Sequence, residues 1–162
     1  MPEMRFERTA QRAARAVYGS IIALAVIIAL EDTSASALEV VAASIGAVVA
    51  AMLAEGYAEY VAQVIRQRRY ATRTELVQNL QDIGAGALAA MIPVAPFVLA
   101  ELGLIDLQTA YDVAPWLGVA VIGAYSLLAN RLAGLGAVQT WLLTAAGMLV
   151  GVSLIAIKAA TH

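Results

Sequence analysis

The sequence predicts an all-α polytopic membrane protein: a single transmembrane domain over residues 1–162 with five helices, the N-terminus inside and the C-terminus outside. Three observations carry that expectation. The 162 residues are 62% hydrophobic and 14% charged, with a mean hydropathy of +0.80, whereas soluble domains carry about 25% charge and about 45–50% apolar residues. Apolar runs on the scale of the ~20 residues that a helix needs to cross the hydrocarbon recur five times. The charges are segregated along the chain rather than mixed.

The first span is placed at 14–30. Ahead of it, "MRFERTAQRAARAV" sets Phe6, Ala10, Ala13, Ala14 and Val17 at helical spacing with arginines on the other side, as in an interfacial helix leading into a span. A rival reading takes the basic start, the apolar run and "TSASA" (33–37) as a cleaved signal peptide; the amphipathic entry weighs against it. The second span, 37–65, is the longest, about 43 Å at 1.5 Å per residue. Its small residues Ala43, Ala47 and Ala51 recur every fourth position, a stripe that lets helix backbones approach closely in lipid. The third, 83–103, repeats the device with Ala85 and Ala89 and with Gly86 and Ala90, then meets Pro93 and Pro96. Those prolines free backbone carbonyls, which is read either as a structural kink or as a break that exposes carbonyls to a cation. The fourth and fifth spans, 114–130 and 138–158, follow, with Gly147 and Gly151 in the fifth. Polar or turn-forming breaks lie at 31–34, 66–82, 106–112 and 134–136. The 66–82 segment is net basic and reads as a cytoplasmic, membrane-proximal linker, with a short helix starting at Thr72 or Thr74.

Charge sidedness tests the count. With the N-terminus inside, Arg5, Arg8, Arg12, Arg15, Arg66, Arg68, Arg69, Arg73 and Arg131 are cytoplasmic, leaving Lys158 outside with Glu31, Asp32, Glu39, Glu101, Asp106 and Asp112. Four or six spans would spoil this asymmetry, so the positive-inside rule favours five. The expected location is the cytoplasmic (inner) membrane of a prokaryote. The chain has no cysteine, and its one histidine is His162. Disulfides, thiolate metal sites and a histidine-based centre in the bundle are thereby excluded. No nucleophile–base pair suggests an enzyme, and no basic face with stacking aromatics suggests nucleic acid.

One stretch resists the lipid-soluble pattern. "AAMLAEGYAEYVAQVIRQRR" (50–69) places Met52, Glu55, Gly56, Glu59 and Gln63 on one helical face. Ionised groups deep in lipid cost several kcal/mol, so they usually face a bundle interior or water and often mark an ion or proton route. Carboxylates suit hard cations and a thioether tilts the set toward Fe²⁺ or Cu⁺, which makes Glu59, Glu55 and Met52 the candidate metal ligands. The other reading is that this end of the helix leaves the membrane and the two carboxylates pair with Arg66 or Arg15. Either way, two carboxylates one turn apart repel, so a cation between them or a proton on one of them is expected. Tyr57 and Tyr60 read as interfacial anchors.

These segments resemble the vacuolar iron transporter family. "AAMLAEGYAEYVAQ" (50–63) looks like its second-span signature, with Ala58-Glu59-Tyr60-Val61 in place of Gly-Glu-Tyr-Val. "GALAAMIPVAPFVLAEL" (86–102) is similar to its third span, and the "GAYSLLANRLAGLG" and "WLLTAAGMLVGVSLIAI" runs to its fourth and fifth. The resemblance implies a homodimeric five-helix bundle that exchanges Fe²⁺ or Mn²⁺ for protons, with Glu59 as transport glutamate, Met52 on the path and no tightly bound cofactor. Its partners would then be the lipid bilayer, a second copy and divalent cations. Two features depart from the family. Where its first span carries an Asp-Gly pair, this chain has Tyr18-Gly19, and a phenol is a poor anionic ligand near neutral pH. The glutamate-rich metal-gathering domain between spans 2 and 3 is replaced by the basic 66–82 segment. The expectation is a divalent-cation transporter-like protein, with a non-transporting dimeric scaffold or partner subunit as the alternative.

Overall fold

Runs of leucine, alanine, valine and isoleucine without strand-like alternation form helices throughout the computed structural model, which describes residues 2–67 and 72–161. They are α1 (Pro2–Glu31), α2 (Ala37–Gln67), α3 (Arg73–Ala90), α4 (Ala95–Glu101), α5 (Leu107–Leu132) and α6 (Ala137–Thr161), with a 3₁₀ turn at Ile92–Val94 between α3 and α4. Among the described residues there is no strand. Arg68, Arg69 and His162 lie outside them. Among the described residues four segments are long and apolar enough to cross a membrane: Arg12–Glu31, Ala37–Arg66, Val77–Glu101 and Leu107–Leu132. The chain is thus an integral membrane protein of all-helical class. The fifth expected span corresponds to α6, whose shorter apolar part covers Ala137–Ser153.

Local chemistry explains where each helix starts and stops. Ser36 and Glu39 form a reciprocal cap at the head of α2: the Ser36 N–H donates to Glu39 Oε2 at 2.7 Å, and the Glu39 N–H donates to Ser36 Oγ at 3.3 Å. Asp106 caps α5 by accepting from the Thr109 N–H at 2.8 Å and the Thr109 hydroxyl at 2.7 Å. This cap starts α5 seven residues before the expected 114, and Asp112 becomes an exposed helical residue rather than part of a loop. Gly103 and Gly134, at φ +70° and +69°, end α4 and α5. In each case the following leucine bonds back five residues, Leu104 to the Leu99 carbonyl and Leu135 to that of Asn130.

Pro93 and Pro96 do more than bend the third span. With no N–H at Pro93 to continue the ladder, α3 stops at Ala90 and the chain tightens: Met91 bonds to the Leu88 carbonyl and Val94 to that of Met91. Each proline then sits in the first turn of its short helix, where a missing N–H costs little. The Ile92 carbonyl is taken by the Ala95 N–H. Pro93, Val94, Pro96 and Phe97 are buried.

α1 runs through the middle of the bundle, against α2, α3 and α5, with α6 outermost beside α5. The amphipathic entry and the first span form one unbroken helix. The core joins Ala23 and Ile27 of α1, Val40, Val48 and Met52 of α2, Ala90, Val94 and Phe97 of the third span, and Ala110, Tyr111 and Ala114 of α5. Phe97 meets Tyr111 edge to face, centroids 4.8 Å apart. Of the small-residue stripes, Gly147 and Gly151 face Ser126 and Val119 of α5, and Gly86 faces α1. Within one chain the α2 stripe faces outward at Ala43, and neighbouring Gly46 has open space beside it.

Candidate functional site: a carboxylate pair held by a buried arginine

Helical periodicity turns Glu55 and Glu59 toward α1 and α3, one turn apart. The backbones there lie unusually close. A Cβ on Gly86 of α3 would stand 2.6 Å from Arg15 Cβ, and one on Gly19 of α1 would stand 2.6 Å from the Met52 methyl and 2.7 Å from Ala90 Cβ. Gly56, between the two glutamates, leaves room for Ile83 of α3. Glycine at these crossings lets three helices converge on one point.

Arg15 occupies that point. Its side chain is only 2% exposed. One terminal nitrogen, Nη2, donates to Glu59 Oε2 and to Asn79 Oδ1, the latter at 2.7 Å. Nη1 makes a long contact of 3.5 Å to the Asn79 carbonyl. Nε lies 3.5 Å from Glu55 Oε1, near enough for ion pairing but without hydrogen-bond alignment, and Glu55 Oε2 is buried with no hydrogen-bond partner. The clamp is therefore tight toward Glu59 and Asn79 and loose toward Glu55. Both glutamate side chains stay about a third exposed, at 37% and 32%. A buried guanidinium needs such partners, because an uncompensated interior charge is strongly destabilising.

Of the two arginines considered as partners, Arg15 reaches both carboxylates; Arg66 is exposed in the last turn of α2. Met52 is 1% exposed and sits in the apolar core with its methyl against Gly19. Tyr18 is 45% exposed and lines a groove of about 570 Å³ with Tyr125, Ser126 and Asn130. Tyr57 is exposed and Tyr60 half-buried. Among the described residues no three carboxylate or imidazole groups gather as a metal-binding set.

One member of this cluster, Asn79, is not singled out by the sequence, and Arg15 stands there as one of two possible partners. The sequence offers Arg66 and Arg15 alike as partners of the carboxylates, and Arg15 shares a helical face with Gly19, Ala23 and Ile27, all buried. That pattern was the available signal. Asn79 falls in the segment read as a linker. α3 starts at Arg73 and runs unbroken to Ala90, so Asn79 is carried on the same rigid helix as Gly86.

Electrostatics limit what the cluster can do. A divalent ion placed about 4 Å from the guanidinium would meet a repulsion on the order of 8 kcal/mol at an effective dielectric of ~20. As arranged, the oxygens hold three helices together through Arg15, and a dication requires Arg15 to move. Comparison of the chain with protein-family models, with curated proteins and with solved structures finds no match.

Proposed function

We propose that the chain is a non-transporting membrane scaffold or partner subunit on a bundle like that of the vacuolar iron transporters, its carboxylate pair given a counter-charge from within. One observation carries this reading: the buried Arg15 guanidinium lies against both Glu55 and Glu59. Two carboxylates that would otherwise call for an ion already have a cation, fixed to α1. The outward small residues of α2 support assembly with a second copy, and the nine inward arginines support an N-in, C-out orientation in a prokaryotic inner membrane. No catalytic role is assigned.

A second reading, a proton-coupled Fe²⁺ or Mn²⁺ transporter using Glu59, Glu55 and Met52, draws support from the partial exposure of both carboxylates and the unpartnered Glu55 Oε2. On that reading Arg15 must withdraw in each cycle. Uptake of Fe²⁺ and Mn²⁺ into proteoliposomes separates the two. The scaffold reading expects wild type and Glu59→Gln to match protein-free vesicles. Uptake by wild type that Glu59→Gln abolishes replaces it with the transporter reading.

A further inference from the structure

Arg15 does more than link helices: it occupies a position built for a cation. The guanidinium lies among oxygen donors from two helices, Glu55 and Glu59 of α2 and the Asn79 side chain of α3, and its own side chain is almost wholly buried. Nη2 alone donates to both Glu59 Oε2 and Asn79 Oδ1. A second observation points the same way: Glu55 Oε2 is buried and lacks any hydrogen-bond partner, so the cation present does not satisfy the whole donor set. Guanidinium is planar and directs its donors along fixed lines, whereas a metal ion accepts oxygens from any side within its coordination sphere.

We infer that Arg15 is a tethered competitor that keeps free cations out. Without its charge, Glu55, Glu59 and the Asn79 carboxamide bind one hard divalent cation at this point. Two carboxylates and one amide oxygen, with no thiolate or imidazole, suit Mn²⁺ or Mg²⁺ rather than a soft ion. The inference rests on the reading that Arg15 neutralises the pair. It stands apart from the question of transport, because it concerns binding in a variant and not movement by wild type.

The test is Mn²⁺ binding to purified protein in an uncharged detergent, read from loss of the free-ion paramagnetic resonance signal and from thermal melting. Wild type and Arg15→Lys, which keeps the charge, should leave the signal unchanged. Arg15→Gln should bind about one Mn²⁺ per chain, at least ~100-fold more tightly than wild type, with a melting midpoint raised by about 5 °C at saturating ion. Arg15→Gln with Glu59→Gln should lose that gain. If Arg15→Gln is unfolded alone, Mn²⁺ but not Na⁺ should restore cooperative melting. Equal binding by wild type and Arg15→Gln overturns the inference. So does binding that survives Glu59→Gln, or an Arg15→Gln protein that Mn²⁺ neither binds nor refolds.

Discussion

Replacing Gly86 by alanine sets a methyl group 2.6 Å from Arg15 Cβ and 3.3 Å from its carbonyl carbon. Neither atom is the free end of a flexible chain; both belong to the α1 backbone or stand directly on it. Ordinary contact begins near 3.4 Å, so α1 and α3 must part locally by about 0.8 Å. The Arg15 Nη2 to Asn79 Oδ1 bond, now 2.7 Å, would lengthen toward 3.5 Å, beyond the ~3.2 Å at which such a bond is effective. Overpacking costs about 1–3 kcal/mol and the weakened charge-assisted hydrogen bond about 1.5–3 kcal/mol, giving an expected loss of roughly 2.5–6 kcal/mol. Gly84 supplies the control. It lies on the same helix two residues earlier with nothing within 4 Å, so Gly84→Ala should be neutral or gain up to about 1 kcal/mol from helix propensity. Equilibrium unfolding in mixed micelles, followed by far-ultraviolet circular dichroism, ranks the two. Gly86→Ala as stable as Gly84→Ala would refute the close α1–α3 crossing on which the clamp depends.

Two further outcomes are expected. The Thr109 N–H and hydroxyl donate to Asp106 and hold its carboxyl below the ordinary value of 3.8. Its contribution is therefore full above about pH 4 and is lost as pH falls through the folded-state value. Asp106→Ala should lower the melting midpoint at pH 7, with a gap to wild type that narrows on acidification below 3.8; a gap that widens there contradicts the cap. Trp116 and Trp141 are 62% and 63% exposed on α5 and α6, and those faces are expected to meet lipid. Brominated acyl chains should quench the fluorescence of each in a single-tryptophan variant, and quenching of either by aqueous iodide instead would remove that face from the bilayer.

Much of the helical framework could be read from hydropathy, because lipid demands length and apolarity of each span directly. The second span, expected at 37–65, is helix Ala37–Gln67. The interruption by Pro93 and Pro96 follows from their missing donors, though its 3₁₀ form at Ile92–Val94 is seen only in the structure. The start of α5 was misplaced because Gln108 and Asp112 resemble loop residues, and the Asp106-to-Thr109 cap was the overlooked cue. Helical period also put Glu55 and Glu59 on one face. It left their partner open between Arg66 and Arg15, and the structure brings Arg15 to both. Sidedness rules assign an arginine to a membrane face and say nothing of depth within the bundle, whereas the burial of Arg15 is set by Gly86 on another helix. Asn79 was hidden for a related reason, since a polar segment reads as a linker until its helix is seen to continue into the span.

Arg15 lies against both carboxylates of the Glu55–Glu59 pair as a fixed counter-charge. The most direct measurement is a double-mutant cycle between Arg15→Gln and Glu59→Gln, by reversible unfolding in micelles at neutral pH without added metal. Each single variant should be destabilised, and the double variant should be less destabilised than the sum by about 1–3 kcal/mol, because the second change removes the charge stranded by the first. Losses that add to within about 0.5 kcal/mol would show that the two side chains act independently, and the clamp would not exist as described.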